Sequence, residues 1–206
     1  MNFWNNMKRI FIATSRDIGK RCHSWAKINL PHNFCLVDNF NDADIVISVL
    51  YDKLFKAHVV KEKYCYNFHP GILPKYRGSG ICSWAIINEE NYMGVTLHVI
   101  DEGIDTGDII EVRKFPILEK DTASSLFTQV EKVIYEMFQE WFSKLLTLNF
   151  TCVPQEINEN DVVYYKKNLR SAKNLTKFIR AFYFPNKEAA YYITSSGEKK
   201  YINFLI

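Results

Sequence analysis

Apolar and polar positions run in blocks along the chain, and the period changes from block to block. Residues 8–14, Lys-Arg-Ile-Phe-Ile-Ala-Thr, form a short apolar run that predicts a buried strand. A turn at 15–19 leads into a weak helical pattern over 16–27 through Ile18, Cys22 and Trp25. Phe34 to Val37 reads as a second strand. Residues 42–50 carry a β-branched run, the composition of a strand covered on both faces of a parallel sheet. Lys53 to Val60 reads as a short helix, and Tyr64 to Phe68 as another strand that breaks at His69-Pro70. Strands separated by helices predict an α/β architecture with a mostly parallel sheet and right-handed crossovers.

Residues 71–80 are too rich in Gly and Pro for regular structure, and a helix over 81–88 follows. Gly94 to Ile100 alternates as a strand does, ends in an acidic loop at 101–108, and is answered by a strand over 109–115. Asp121-Thr122 caps a long helix over about 122–148. Its apolar stripe runs through Leu126, Val130, Val133, Ile134, Met137, Trp141 and Leu145 at three- and four-residue spacing. After Pro154 comes a polar stretch, then Val162 to Tyr165, a basic helix from Ser171 to Phe182, and a hairpin of 189–194 with 199–204. Residues 1–150 therefore read as the main domain, and 151–206 as a small appendage of helix and β-hairpin.

Composition narrows the class of molecule. Of 206 residues 48% are hydrophobic and 24% charged, the balance of a globular protein with a real core. A net charge of +3 is too small for a nucleic-acid coat, and no apolar run is long enough to span a membrane. The basic N-terminus lacks the apolar region of a signal peptide, so a cytoplasmic location is expected. The 5 cysteines are scattered with no C-x-x-C pair, which predicts free thiols and neither a disulfide framework nor a structural zinc. There are 8 glycines, and Gly71, Gly78, Gly80, Gly103 and Gly107 fall in two short stretches. Clustered glycine in a glycine-poor chain marks special backbone.

The first cluster adjoins Asn67-Phe68-His69-Pro70, at the C-terminal end of a predicted parallel strand, where open α/β sheets place ligands. Residues 67 and 69 project to one side of that strand, so an amide and an imidazole address one small group together. Such a pair suits a developing oxyanion. Asp105, in the second cluster, offers a carboxylate to orient the imidazole or move a proton. The acidic loop lacks the length and ligand pattern of a calcium site, and no metal is expected. His98, inside the alternating strand, either supports this site or packs as an ordinary buried histidine.

Residues 67–78, Asn-Phe-His-Pro-Gly-Ile-Leu-Pro-Lys-Tyr-Arg-Gly, with Gly94-Val-Thr-Leu-His98 and Asp101-Glu-Gly-Ile-Asp-Thr-Gly-Asp-Ile-Ile110, resemble the folate-dependent formyltransferases. The resemblance is dense over about 42–118. It implies a Rossmann-like fold, N10-formyltetrahydrofolate as one-carbon donor, and a catalytic triplet of Asn67, His69 and Asp105, with a protonated His69 and Asn67 stabilising the tetrahedral oxygen. It places the folate's pterin ring against Leu50, Tyr51 and Leu54 and the loop residues Asp101, Gly103 and Ile104, and makes a homodimer plausible.

The acceptor is read from departures within the family. The first turn, residues 13–19, lacks the Gly-rich phosphate cradle expected of glycinamide ribonucleotide enzymes, and the residues after the long helix are too few for the barrel domain of methionyl-tRNA formyltransferases. The short aromatic tail is similar to the ends of sugar-nucleotide N-formyltransferases. The expected reaction is formylation of a nucleotide-linked amino sugar of the dTDP-4-amino-4,6-dideoxyglucose type, with Lys75, Tyr76, Arg77, Gly78, Phe182 and Phe184 as acceptor contacts. Residues 162–187 hold seven Lys or Arg and no acid. That stretch either neutralises a diphosphate or forms a solvated basic face over packed aromatics. An inactive, nucleic-acid-binding relative of the same fold is the alternative from another class, although the intact triplet argues against it.

Overall fold

The computed structural model describes residues 7–158, 162–165, 175–193 and 197–201. Its centre is a sheet of β1 (Lys8–Thr14), β2 (Phe34–Leu36), β3 (Ile45–Val49), β4 (Tyr64–His69), β6 (Tyr92–Val99) and β7 (Ile109–Pro116); a two-residue strand, β5 (Arg77–Gly78), lies outside it. The strand order is β2-β1-β3-β4-β6-β7, the first four parallel and the last two antiparallel. This is the mostly parallel α/β sheet that the alternation of strand and helix patterns predicts.

One face of the sheet is covered by α1 (Asp17–Ile28), α3 (Ile81–Ile87) and α4 (Ala123–Thr147). Ile10, Ile45, Ile47, Phe68, Val95 and Leu97 point into this core with Leu126, Val130, Ile134 and Phe138 of α4. Each such side chain contributes about 1.5–3 kcal/mol on burial. Thr122 caps α4 reciprocally with Ser125, and Leu148 ends it in a left-handed conformation. The centre of the buried stripe on α4 includes Phe138 and Phe142, which pack edge-on against Trp25 of α1, whereas Val133 and Trp141 lie at its half-buried edge.

The second face is different. Ala13, Ala43, Val46 and Cys65 make a small apolar cluster there with Tyr51, Phe55 and Ile100. Beside it the registered neighbours Ala13, Ser48, Asn67 and His98 form a row across β1, β3, β4 and β6. Side chains paired in this way share a face, so the second face carries a polar strip through its middle.

Two element boundaries differ from the sequence reading. The short helix expected over 53–60 is α2 (Ala57–Glu62): Lys56 before it is extended, and Phe55 packs on Tyr51 with ring centroids 5.4 Å apart. β3 begins at Ile45, since Phe40–Asp42 forms a 3-10 turn and the Asp44 carboxylate takes the Arg9 backbone N–H and guanidinium.

The C-terminal segment is stitched to this frame. β8 (Val163–Tyr164) runs parallel to β5. α5 (Leu175–Phe182) lies on α3, where Ala181 is fully buried and its carbonyl accepts from the Ser83 hydroxyl at 2.6 Å. The Arg180 guanidinium donates to the Asp121 and Leu118 carbonyls, so this cation is bound to backbone. β9 (Tyr191–Ile193) and β10 (Lys199–Tyr201) pair antiparallel. Residues 171–174 of the expected basic helix, residues 194–196 and 202–204 of the hairpin, and Lys166, Lys167, Arg170 and Lys173 lie outside the described residues. No described helix is long and apolar enough to cross a membrane.

Candidate active site

β4 delivers Asn67 and His69 to the second face of the sheet, and Phe68 between them to the helix-covered core. Across β6, His98 is registered with Asn67 and Thr96 with His69. The four polar residues therefore cluster because two strands with the right parity lie side by side.

Hydrogen-bond partners assign the tautomers. The Val99 carbonyl can only accept, so His98 Nδ1 carries the proton donated to it at 2.7 Å. His98 Nε2 then accepts from Asn67 Nδ2 at 3.2 Å, which fixes the amide's orientation and leaves its second N–H for another acceptor. In the same way the Tyr76 carbonyl takes the Nε2 proton of His69 at 2.6 Å. Nδ1 of His69 faces Asp105 Oδ2 at 3.4 Å.

Asp105 sits in the left-handed region, φ +53°, at the apex of the loop between β6 and β7. Its Oδ2 also accepts from the Gly78 backbone N–H at 2.9 Å, and Oδ1 lies 3.6 Å from His98 Nε2. Burial alone would push this carboxyl up, but His69, His98 and the Gly78 N–H outweigh it and hold it down at about 2. Burial lowers the pKa of His69, with His98 acting the same way, and outweighs Asp105 and the Tyr76 carbonyl, which raise it. With no substrate bound, these shifts favour the carboxylate form of Asp105 and the neutral form of the His69 imidazole.

The loop after β4 is built around His69. An added Cβ at Gly71 would come within 2.8 Å of both His69 Nε2 and the Tyr76 carbonyl, so only glycine leaves room for the bond between them. The Thr96 hydroxyl donates to the Gly71 carbonyl at 2.6 Å and accepts from the Leu73 N–H at 3.1 Å. Gly78, φ +102°, lets the Tyr164 carbonyl approach to 2.1 Å of where a Cβ would stand.

The expected acceptor contacts fall into different environments. Lys75 is exposed and pairs with Glu90 at 2.6 Å. Tyr76 is 3% exposed, donates its hydroxyl to Glu90 and stacks on Tyr164 at 5.0 Å, and Arg77 is buried. Gly78 touches Asp105 directly. Phe182 and Phe184 pack against the helix-side core, Phe184 edge-on to Phe127.

The expected folate contacts are more open. Leu54 is 82% exposed, while Leu50 and Tyr51 are half-buried at the end of β3, where Leu50 follows the register partner of Phe68. Asp101 and Gly103 are exposed, and Asp101 shapes the turn by accepting from the Gly103 N–H and the Thr106 hydroxyl. Among the described residues no group of His, Cys, Asp and Glu could hold a metal ion.

His98, for which the sequence left support of the site or ordinary packing open, lies beside Asn67 and Asp105, and Thr96 and Gln155 join the cluster without having been assigned to it from sequence. Thr96 and His98 carry a faint signal, their i, i+2 spacing on an alternating strand. Gln155 carries none, following Pro154 in a polar stretch.

Comparison with known proteins gives the family. The profile described as formyl transferase matches residues 33–141. A GDP-perosamine N-formyltransferase of Brucella melitensis is 30% identical over 201 residues, covering 86% of this chain and 75% of its own length. A methionyl-tRNA formyltransferase of Lachnospira eligens is 36% identical over 124 residues, 59% of this chain but only 39% of the relative, so the chain spans about two fifths of that protein's length. Among solved structures, a sugar N-formyltransferase from a Shewanella species superposes with a TM-score of 0.83 at 20% identity, covering 96% of this chain and 97% of the other. WlaRD, a sugar 3N-formyl transferase determined with dTDP and 5-N-formyl-THF, gives 0.75 at 25% identity, covering 92% and 83%. By profile, by near full-length relative and by fold, the chain belongs to the formyl transferase family.

Proposed function

We propose that this protein transfers a formyl group from N10-formyltetrahydrofolate to the amine of a nucleotide-linked 4-amino-4,6-dideoxy sugar. The observation that carries the reading is the convergence of Asn67, His69 and Asp105 on one face of the sheet, in a chain aligned over most of its length with an amino-sugar N-formyltransferase. Bound N10-formyltetrahydrofolate supplies the formyl carbon that the acceptor amine attacks. The second N–H of Asn67, left over once His98 has taken the first, donates to the formyl oxygen as negative charge develops there. His69 receives the amine's proton at Nδ1, and the Asp105 carboxylate stabilises the imidazolium so formed; as the tetrahedral species collapses the bond from the formyl carbon to N10 breaks, the imidazolium returns the proton to that nitrogen, and tetrahydrofolate leaves. Tyr76 holds the ring in the orientation that presents Nδ1.

The relatives favour a sugar acceptor through what they are named for, GDP-perosamine in one and a sugar in another, the latter determined with dTDP. The test is formyl transfer from N10-formyltetrahydrofolate to dTDP-4-amino-4,6-dideoxyglucose, GDP-perosamine and methionyl-tRNA in parallel. Turnover with a sugar nucleotide and none with the tRNA is expected. Turnover only with methionyl-tRNA, or with no acceptor at all, overturns the sugar assignment.

A further inference from the structure

We propose that Gln155 is the positioning residue for Asp105, holding the catalytic loop in its strained conformation from a segment that follows the long helix. Gln155 Nε2 donates to the carbonyl of Asp105 at 3.1 Å and to that of Gly107 at 2.5 Å. Both protons of one amide nitrogen are thereby used on the two carbonyls that bracket the loop apex. Those carbonyls can only accept, so the amide has one orientation; a flipped Gln155 would set oxygen against oxygen. Among the described residues its buried Oε1 meets no hydrogen-bond partner, and the two bonds donated to the loop are what orient this side chain.

The segment carrying Gln155 is itself fixed. Val153 and Ile109 exchange both backbone hydrogen bonds at 2.8 Å, which ties residues 152–156 to the start of β7, directly after the loop. The other tethers take different groups: Asp101 accepts from the Gly103 N–H and the Thr106 hydroxyl, the Val99 N–H donates to the Asp108 carbonyl, and the Gly78 N–H reaches the Asp105 carboxylate, whereas Gln155 holds the backbone carbonyl of Asp105 itself. A non-glycine residue at φ +53° persists only where its surroundings over-determine it. Without the Gln155 N–H groups, Asp105 is free to relax toward ordinary φ, and its carboxylate leaves the 3.4 Å contact with His69. The expected result is a site that still binds both substrates and turns over slowly.

This inference rests on the proposed role of the Asp105–His69 pair, so its decisive readout needs no acceptor. The groups facing the His69 ring are Asp105, His98 and the Tyr76 carbonyl, and Asp105 is the carboxylate among them that favours the charged ring. The experiment is an NMR titration of the His69 imidazole in the full chain, for wild type, Gln155→Ala, Gln155→Glu and, as reference, Asp105→Asn. Gln155→Ala is expected to move the His69 titration to lower pH, in the direction of Asp105→Asn. In the transfer assay it should lower kcat by about 10- to 100-fold with each KM within about threefold. Gln155→Glu, isosteric but turning an oxygen toward the two carbonyls, should lose at least as much. If Gln155→Ala does not fold, Gln155→Met keeps the packing and removes the donors, and the same criteria apply to it. An unchanged His69 titration in the folded variant overturns the inference, whatever happens to thermal stability. Absence of formyl transfer by the wild type with every acceptor overturns the proposed function instead and leaves the titration readable.

Discussion

At the scale of single residues the site is a set of hydrogen-bond directions. Asn67→Ala and His69→Ala remove groups that act on the developing charge and on the proton, so each should lower kcat by about 10²- to 10³-fold. Folate affinity, measured by calorimetry, should change little, because neither side chain is among the expected folate contacts. The titrating pair also predicts how stability depends on pH. Asp105 is held at about 2, below its ordinary 3.8, and His69 lies below its ordinary 6.5, so on acidification the unfolded chain binds both protons first. The stabilisation is complete above about pH 7, begins to fall below the ordinary histidine range, and falls again between about pH 4 and 2. Urea midpoints across that range should trace both declines, and Asp105→Asn should remove the more acidic one. Asn67, His69 and Asp105 were legible in the sequence because a strand-end motif and a glycine-bearing loop announce them locally. His98 could be named only as either a support of the site or a packed histidine, and Thr96 and Gln155 not at all, because their roles depend on which residue of another strand or segment lies opposite, and register is not written in any single stretch.

At the scale of elements, the catalytic strand is held from behind. Phe68 of β4 points away from the site and meets Phe138 of α4 at 5.9 Å, both fully buried. Phe138→Ala should cost about 3–5 kcal/mol in urea unfolding, and because the cavity lies directly under β4 some loss of kcat should accompany it. Most elements could be read from the sequence: the long helix from its cap and stripe, β3 from its β-branched run, β6 and β7 from the alternation around the acidic loop. The helix expected over 53–60 shows where such reading stops. Its local pattern is compatible with helix, but the helix starts only after the extended Lys56, while Tyr51 and Phe55 pack against the small cluster on the second face of the sheet, a contact between distant segments that the local pattern does not carry.

At the scale of the molecule, residues that follow α4 support the site that precedes it. Tyr164 stacks on Tyr76, meets Trp84 at 5.0 Å, and bonds through its carbonyl to the Ser79 N–H, so β8 braces the loop whose Tyr76 carbonyl holds His69. Tyr164→Ala should therefore cost about 1–3 kcal/mol and also weaken turnover, checked by pairing denaturation with the transfer assay. This long-range brace escaped the sequence reading, since Val162 to Tyr165 gives only a short strand-like run with no partner named. The parity of β4 has a further consequence, for the history of the gene. Loss or gain of a single codon between Tyr64 and Phe68 would exchange the two faces of the strand, driving Asn67 and His69 into the apolar core and bringing Phe68 out among the polar groups. Length variation among descendants of this chain should accordingly be absent from that strand and confined to connections where no side-chain parity is at stake.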